Sequence, residues 1–411
     1  MKFSLRTILP ILIISFTGVS SLLANDKVLN KSVQKKIIRD IYKFQKRHRL
    51  TSLSFSIFRG HHEKFSFAVG YADANRKIRA TPEHIYTLAS VTKCITGVVI
   101  VELVSRNVLS LSDSVYKYIA GFPKEITVLD LLNHTSGFIR ENENEHYLTG
   151  SSYQNVVDYL PRRYKRRKKH RYANINYAAL GALIEKLTKN PFKNVANYYF
   201  KIKTGDDLYF SNHTANSDNP LFTKNYVRRY RKQYLHKPVN FGLWEPAAFA
   251  QASSKSLAKF LRHYMTPDFI SFLSSHAAVI KTRTYYSGKK VKDCYAFGFR
   301  LRFVNNELKY VYHNGFIYGV LSTFYYFPQK DVGFVALSNM SSYPKRTLTL
   351  SGVYKIIEKI MDAELKDEVA EQTVRETQQR GLARQHTHIE HIKRPPSIEA
   401  QADENLNQQP Q

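Results

Sequence analysis

The sequence predicts an α+β protein in which one antiparallel sheet, covered by helices, carries an inserted all-helical domain. Three observations predict this fold class. Alternating apolar residues, typical of strands, occur near both ends of the chain, and mostly helical spacing fills the region between about 110 and 290. A chain of 411 residues with 43% hydrophobic content is long enough to bury a large core.

A positively charged start and an apolar run open the chain. Lys2 and Arg6 precede the apolar residues 8–24, and polar residues follow from Asn25. This order is typical of a secretory signal peptide, which we expect over residues 1–24. The protein is therefore predicted to be exported, periplasmic or secreted, and membrane-anchored if the signal stays uncleaved.

The first part of a predicted α/β domain covers residues 25–110. Residues 31–48 have the apolar spacing of an amphipathic helix. The alternating runs 53–58 and 64–71 predict a β-hairpin, and residues 90–106 predict a buried helix.

The second part of that domain covers residues 290–365, after a helical domain over 111–289. Four strands are expected here, over 295–303, 307–313, 319–328 and 332–339. Pro328-Gln329-Lys330-Asp331 joins the last two as a hairpin. An amphipathic helix follows over 348–366, and residues 366–411 lack apolar side chains to bury, which predicts a disordered tail.

The formal net charge of +29 bears on partners rather than on fold. Nucleic acid, an anionic envelope surface and an acidic substrate all fit it. The predicted export argues against nucleic acid, so no nucleic-acid partner is expected. The basic runs 161–171 and 224–237 could contact an anionic surface. Solvated surface is the favoured reading of the first run, and a surface helix is favoured for the second.

The two cysteines, Cys94 and Cys294, do not form a disulfide scaffold. One bridge could form after export, but two unpaired buried thiols are favoured. Histidines at 61–62 and at 386, 388 and 391 lack the carboxylate or thiol spacing of a closed metal site. We expect no metal and no cofactor.

Ser90-Val91-Thr92-Lys93 is the first chemical motif. Residues three apart share a helix face, so Lys93 would lie one turn above the Ser90 hydroxyl and could take its proton. Ser-x-x-Lys also occurs elsewhere in this chain, for example at Ser256 and Lys259, where a helix cap with a solvated lysine explains it. Ser90 differs because the apolar helix that follows must be buried and would carry Lys93 inward.

Four segments together resemble the class C β-lactamase and DD-peptidase superfamily of serine hydrolases. They occur in the order of that family and cover residues from about 30 to 362. The segments are LASVTKCITGVVIVELVSRNVLSLSDSVYKYI with ITVLDLLNHTSGF, RYANINYAALGALIEKLT, AFAQASSKSLAKFLRHYM, and YAFGFRLRF with YHNGFIYGVLSTFYYFPQKDVGFVALSN. The resemblance implies a β-lactamase/transpeptidase-like fold and a covalent acyl-enzyme.

The resemblance also implies a role for each matching position. Ser90 matches the acylated serine, Lys93 its partner, and Tyr172 the tyrosine that exchanges protons with the serine and the leaving group. Asn174 matches an amide that binds substrate, and His313-Asn314-Gly315 matches a substrate-binding strand element that is often Lys-Thr-Gly. The N–H groups of Ser90 and Phe316 would form an oxyanion hole.

Chemistry supports these residue types. A tyrosine titrates near ~10, so a phenolate base needs cations close by, and Lys93 with a protonated His313 could supply them. Asn314 departs from the family pattern, which has a hydroxyl residue at this position.

The leading hypothesis is an exported hydrolase that acts on an amide or ester. Its small-molecule or peptide substrate could be a cell-wall D-Ala-D-Ala peptide, a β-lactam or a small ester, which the fold does not separate. A carboxypeptidase or general hydrolase is favoured over a dedicated β-lactamase, because His313-Asn314-Gly315 departs from the family's motif. The alternatives are a non-catalytic binding module of the same fold and a basic protein that binds an anionic envelope polymer.

Overall fold

The computed structural model describes residues 29–60, 62–139, 156, 169–210, 219–229, 232–236, 242–343, 349–350 and 352–363. The predicted signal peptide and tail lie outside these ranges. The helices are α1 (Lys31–His48), α2 (Thr92–Ser105), α3 (Val128–Leu132), α4 (Ile175–Thr188), α5 (Phe192–Thr204), α6 (Glu245–Ala248), α7 (Ser254–Tyr264), α8 (Pro267–Ser275) and α9 (352–363). The strands are β1 (Ser52–Arg59), β2 (His62–Asp73), β3 (Ile78–Arg79), β4 (Tyr86–Thr87), β5 (Tyr209–Phe210), β6 (Tyr226–Arg229), β7 (Lys232–Leu235), β8 (Ala250–Ala252), β9 (Ala278–Thr284), β10 (Lys290–Ala296), β11 (Phe299–Val304), β12 (Glu307–Ile317), β13 (Val320–Phe327), β14 (Val332–Ser338) and β15 (Met340–Tyr343).

Nine of these strands form one antiparallel sheet in the order β3-β2-β1-β14-β13-β12-β11-β10-β9. The two ends of the chain meet in its centre, where β1 pairs with β14 in the register Ser54↔Leu337. The predicted α+β fold, with one antiparallel sheet built from both chain ends and covered by helices, is confirmed. Two smaller sheets have the orders β15-β6-β7 and β4-β8-β5.

Helices cover both faces of the large sheet. On one face α1 and α9 bury Ile37, Ile41 and Ile357 against apolar residues of the sheet. On the other face, helices α2 and α4–α8 contribute to a second and larger core. Helix α2 is buried on almost every side, as expected for a helix whose residues are apolar all round, and it begins at Thr92, two residues after the serine of the Ser-x-x-Lys motif.

The structure differs from the sequence prediction in three segments. The predicted strand 295–303 is two strands, β10 and β11, because the chain turns at Phe297 and Gly298, both with positive φ. Gly298 is required there, since a Cβ atom would lie 2.4 Å from the carbonyl oxygen of Lys93. Strand β9 belongs to the large sheet although it falls in the segment 111–289 predicted to be helical.

The third difference concerns the basic run 224–237, whose described residues form the hairpin β6–β7 and not a surface helix. Cys94 and Cys294 are both free and buried, which confirms the favoured prediction of two unpaired thiols. None of the described helices has the length and apolar content needed to cross a bilayer.

Candidate active site

Ser90 lies in a short 3₁₀ turn, Ala89–Val91, that leads directly into α2. Ala89 has φ +46°, a left-handed conformation that an alanine adopts only when its surroundings enforce it. The strand β12 provides that constraint, because Gly315 lies against the turn so closely that a Cβ atom would be 2.6 Å from the Leu88 carbonyl oxygen. Ser322 Oγ on β13 donates a hydrogen bond to the same carbonyl at 2.5 Å. The half-buried Ser90 is therefore fixed at the tip of the helix.

Lys93 is fully buried, as the sequence predicted. Its Nζ donates to Asn174 Oδ1 and to the Ala247 carbonyl oxygen, each at 2.7 Å, and to Ser90 Oγ at 3.4 Å. Asn174 Oδ1 and the Ala247 carbonyl oxygen each accept one N–H of Nζ, so the third position on this nitrogen points to Ser90. A protonated amine donates a third hydrogen bond there, whereas a neutral amine places its lone pair there and can accept the serine proton.

Tyr172 meets this lysine, although the two residues are far apart in the chain. Lys93 Nζ lies 4.9 Å from the centroid of the Tyr172 ring. The side chain of Arg300, on β11, lies 5.5 Å from the same centroid. A phenol, an amine and a serine hydroxyl thus share one site, as a proton-exchanging cluster requires.

Arg300 is a site residue that the sequence analysis missed. Its segment, YAFGFRLRF, was quoted for its strand pattern, but no local signal showed that this arginine would reach Tyr172. The guanidinium also lies 5.6 Å from the Tyr295 ring. Within the described parts of the chain no carboxylate forms an ion pair with it.

His313 faces the site but does not supply the predicted positive charge. The side chain is 1% exposed, and burial, then Arg300 and then Lys93 lower its pKa well below the usual 6.5. The ring is neutral at neutral pH: Nδ1–H donates to the Asn314 carbonyl oxygen at 2.9 Å, and Tyr295 Oη can donate to Nε2 at 3.3 Å. The prediction of a protonated His313 is therefore wrong, and Arg300 provides the second cation.

The remaining predicted residues lie on β12 and at the start of α4. Asn174 is committed to Lys93 through its Oδ1 atom, a role that the sequence did not predict. Asn314 is exposed, and its Oδ1 accepts from Thr323 Oγ1 at 2.5 Å, which places it on the strand face opposite His313 and Gly315. Its contact with substrate, and the oxyanion pair formed by Ser90 and Phe316, stay predictions.

The C-terminal part of strand β12 borders the site and has one edge that is not paired with β11. Its pairing with β11 reaches Tyr312, where Arg300 is the partner, while its pairing with β13 continues to Ile317. Residues 313–317 therefore extend beyond β11, beside the turn that holds Ser90. A substrate backbone could align along this edge.

Two cations, Lys93 and Arg300, lie beside Tyr172, whereas the histidines near them add no charge at neutral pH. His170 lies near Tyr295, and burial, followed by Arg300, lowers its pKa to about 4. Of the basic run 161–171 the described residues are 169–171, and residues 161–168 lie outside. No cluster of three or more His, Cys, Asp or Glu side chains that could hold a metal occurs among the residues described.

Glu245 begins α6, the short helix whose Ala247 carbonyl accepts from Lys93. This carboxyl is 7% exposed, and burial raises its pKa from 4.5 to about 7, with Lys193 opposing and Glu185 adding to the shift. Between pH ~4.5 and ~7 the Glu245 carboxyl is protonated in the folded protein but ionised in the unfolded chain. The contribution of Glu245 to stability is therefore present below pH ~4.5 and is lost as pH rises through ~7.

Glu245→Gln should remove this pH dependence. We expect the free energy of unfolding of the wild type, relative to the variant, to fall by at most about 3 kcal/mol between pH ~5 and ~8. Urea unfolding of both proteins at the two pH values measures it. The exposed Glu307→Gln is the control, and equal pH dependence of wild type and Glu245→Gln would contradict the prediction.

Comparisons with known proteins identify the family to which this chain is similar. The family model described as Beta-lactamase matches residues 37–350. "Protein flp" of Staphylococcus aureus strain MRSA252 is 28% identical over 296 residues, which cover 66% of this chain and 56% of the relative. The chain thus spans little more than half the length of such relatives. "Teichoic acid D-alanine hydrolase" of the same strain is 27% identical over 284 residues, 66% of this chain and 67% of the relative.

Solved structures share the fold. The D-amino acid amidase of Ochrobactrum anthropi SV3, complexed with L-phenylalanine amide, has a TM-score of 0.67 and 16% identity, covering 82% of this chain and 99% of that one. At this identity the likeness shows the fold alone. The family match extends over most of the chain and includes the residues that form the site. The chain belongs to the Beta-lactamase family, among the serine hydrolases that its sequence resembles.

Proposed function

We propose that this protein is an exported serine hydrolase that removes D-aminoacyl groups from esters or amides through an acyl-Ser90 intermediate. The observation that carries the proposal is the buried Lys93, whose Nζ reaches Ser90 Oγ while two other acceptors hold it in place. Burying an amine is costly, and this one lies where a base for the Ser90 hydroxyl would act. Export rests on the pattern of residues 1–24.

The reaction would proceed in two steps. Ser90 Oγ bonds to the acyl carbon as its proton passes to Lys93 Nζ, and the alcohol or amine leaves with a proton returned through Lys93 and Tyr172. Water then attacks the acyl carbon as its proton passes to Lys93 or Tyr172, and the bond to Ser90 Oγ breaks as Oγ takes up that proton, which releases the acid. The N–H groups of Ser90 and Phe316 would stabilise the negative charge on the carbonyl oxygen in both steps.

Two names among the similar proteins favour a D-aminoacyl substrate. One relative is called a teichoic acid D-alanine hydrolase, and one structural neighbour is a D-amino acid amidase. The first name refers to D-alanine on teichoic acid and the second to a D-amino acid amide, so both refer to a D-amino acid. A β-lactam or a D-Ala-D-Ala peptide remains the alternative substrate that the experiment below separates.

The charges favour an anionic carrier. Arg300 has no described carboxylate partner and lies beside Tyr172, where it could bind an anionic group of the substrate. The β9–β10 hairpin adds the exposed cations Lys281, Lys289 and Lys290 to a chain of net charge +29.

Hydrolysis of matched substrates tests the proposal. We expect D-alanine esters and D-alanine p-nitroanilide to be hydrolysed faster than their L-alanine counterparts, and faster than nitrocefin or a D-Ala-D-Ala peptide. A D-alanyl ester on glycerol phosphate oligomers should lose rate as salt rises, whereas D-alanine methyl ester should not. Preference for L-alanine, or for nitrocefin, would contradict the D-aminoacyl assignment.

A further inference from the structure

The segment ITVLDLLNHTSGF contains a histidine to which neither the sequence nor the proposed mechanism gives a role. His134 follows α3 and is fully buried, with φ +57°. Its ring lies 4.4 Å from the ring of Tyr172 and 4.7 Å from that of Tyr295, measured between centroids. A residue held in a left-handed conformation beside a catalytic phenol is a candidate for a functional constraint.

Hydrogen bonds attach His134 to the chain on both sides of Tyr172. The Arg171 N–H donates to the His134 carbonyl oxygen at 2.7 Å, and the Ala173 N–H points to His134 Nδ1 at 3.4 Å. The backbone that carries Tyr172 is therefore fixed to one residue immediately before and after the tyrosine. The ring contact adds a third constraint on the side chain itself.

Neighbouring groups also fix the orientation of the His134 ring. Asn176 Oδ1 accepts from Ser136 Oγ at 2.5 Å, so Asn176 turns its NH₂ group towards His134 Nδ1, 2.9 Å away. Nδ1 is then an acceptor and the ring proton lies on Nε2. Burial and then the positive charge of Lys93 lower the pKa of His134 well below 6.5, so the ring keeps this state at neutral pH.

We propose that His134 is a positioning residue that holds the Tyr172 ring beside Lys93 and Ser90. This inference rests on the proposed function, because it assigns His134 an effect on catalysis that passes through Tyr172. His134 itself does not exchange a proton with the substrate. A displacement of Tyr172 of the order of 1 Å is enough to slow catalysis by ~10²-fold.

Two substitutions at this position separate positioning from folding. In His134→Ala the ring, its Nδ1 acceptor and the contact with Tyr172 are lost. In His134→Asn the amide oxygen takes the place of Nδ1, and asparagine tolerates the positive φ better than most residues. We expect His134→Ala to lower the rate of Ser90 labelling by a fluorophosphonate, and kcat, by about 10²-fold with little change in KM, and His134→Asn to recover most of the loss.

A double-mutant cycle with Tyr172→Phe tests the route of the effect. If His134 acts through Tyr172, adding His134→Ala to Tyr172→Phe should cause almost no further loss of rate. His84→Ala is a matched control: His84 is also buried, and its Nδ1 accepts from a backbone N–H, that of Thr81, at 3.0 Å. Its labelling rate should match the wild type.

Each outcome supports or overturns the proposed role of His134. If the His134→Ala rate equals that of the wild type, or falls by the same factor with and without Tyr172→Phe, the inference is overturned. If His134→Ala does not fold, the cycle is run with His134→Asn: a loss of kcat with wild-type KM that disappears in the Tyr172→Phe background supports the inference, and an equal loss in both backgrounds contradicts it. An unlabelled wild type would instead overturn the proposed function itself.

Discussion

Replacing Lys93 by methionine should lower the rate of Ser90 acylation by roughly 10³-fold or more. Methionine has a similar length and fills the buried space, but it cannot take the proton of Ser90 Oγ, from which Lys93 Nζ lies 3.4 Å away. The substitution also leaves Asn174 Oδ1 and the Ala247 carbonyl oxygen without this donor. Because the substitution also removes a buried amine, the free energy of unfolding should change by much less than the activation free energy of acylation.

Stopped-flow acylation with an activated ester, together with thermal unfolding, measures both quantities. Lys259→Met is the matched control, since this lysine follows a serine at the same spacing but forms a partly exposed ion pair with Asp206 at 3.0 Å. It should retain the wild-type rate. Acylation of Lys93→Met within about tenfold of the wild type would show that Lys93 is not the base.

Gly315→Ala should reduce kcat/KM by on the order of 10²-fold or more. The added Cβ atom would lie 2.1 Å from Ser322 Oγ, 2.6 Å from the Leu88 carbonyl oxygen and 2.9 Å from Ala89 Cβ. Strand β12 must therefore move away from the turn that holds Ser90. If the Phe316 N–H helps to form the oxyanion hole, this movement removes a donor whose loss costs ~10²–10³ in rate.

The control for this substitution is Gly205→Ala. Gly205 also has a positive φ, +77°, but a Cβ atom there would contact nothing within 4 Å. Gly205→Ala should cost about 1–2 kcal/mol of stability and leave kcat/KM unchanged. A stable Gly315→Ala enzyme with wild-type kcat/KM would rule out the predicted closeness of β12 to the serine.

The local sequence pattern was sufficient to predict the parts of the site that depend on one helix or on the order of residues. Ser90 lies in the turn that leads into α2 and Lys93 in the first turn of that buried helix, and the sequence shows both their spacing and the apolar surroundings. The resemblance then identified Tyr172, and the structure brings it within 4.9 Å of the lysine. The strands β1, β2, β12, β13 and β14 and the helix α1 were predicted for the same reason, since their periodicity is local.

The sequence could not show contacts that only tertiary pairing creates. Arg300 reaches Tyr172 because β11 pairs with β12 at Tyr312, and no feature of the segment 295–303 indicates that register. The turn at Gly298, in the same segment, was not predicted, because close contact with the Lys93 backbone sets it. The neutral state of His313 depends on burial, which a motif does not report.

The central claim is that Ser90 is the nucleophile that Lys93 and Tyr172 activate. Intact-mass analysis after reaction with a fluorophosphonate tests it most directly, with peptide mapping of the modified site. The claim predicts one adduct per wild-type chain on Ser90, none on Ser90→Ala, and slow labelling of Lys93→Met and Tyr172→Phe. An adduct that forms equally fast on Ser90→Ala, or that maps to another residue, would contradict it.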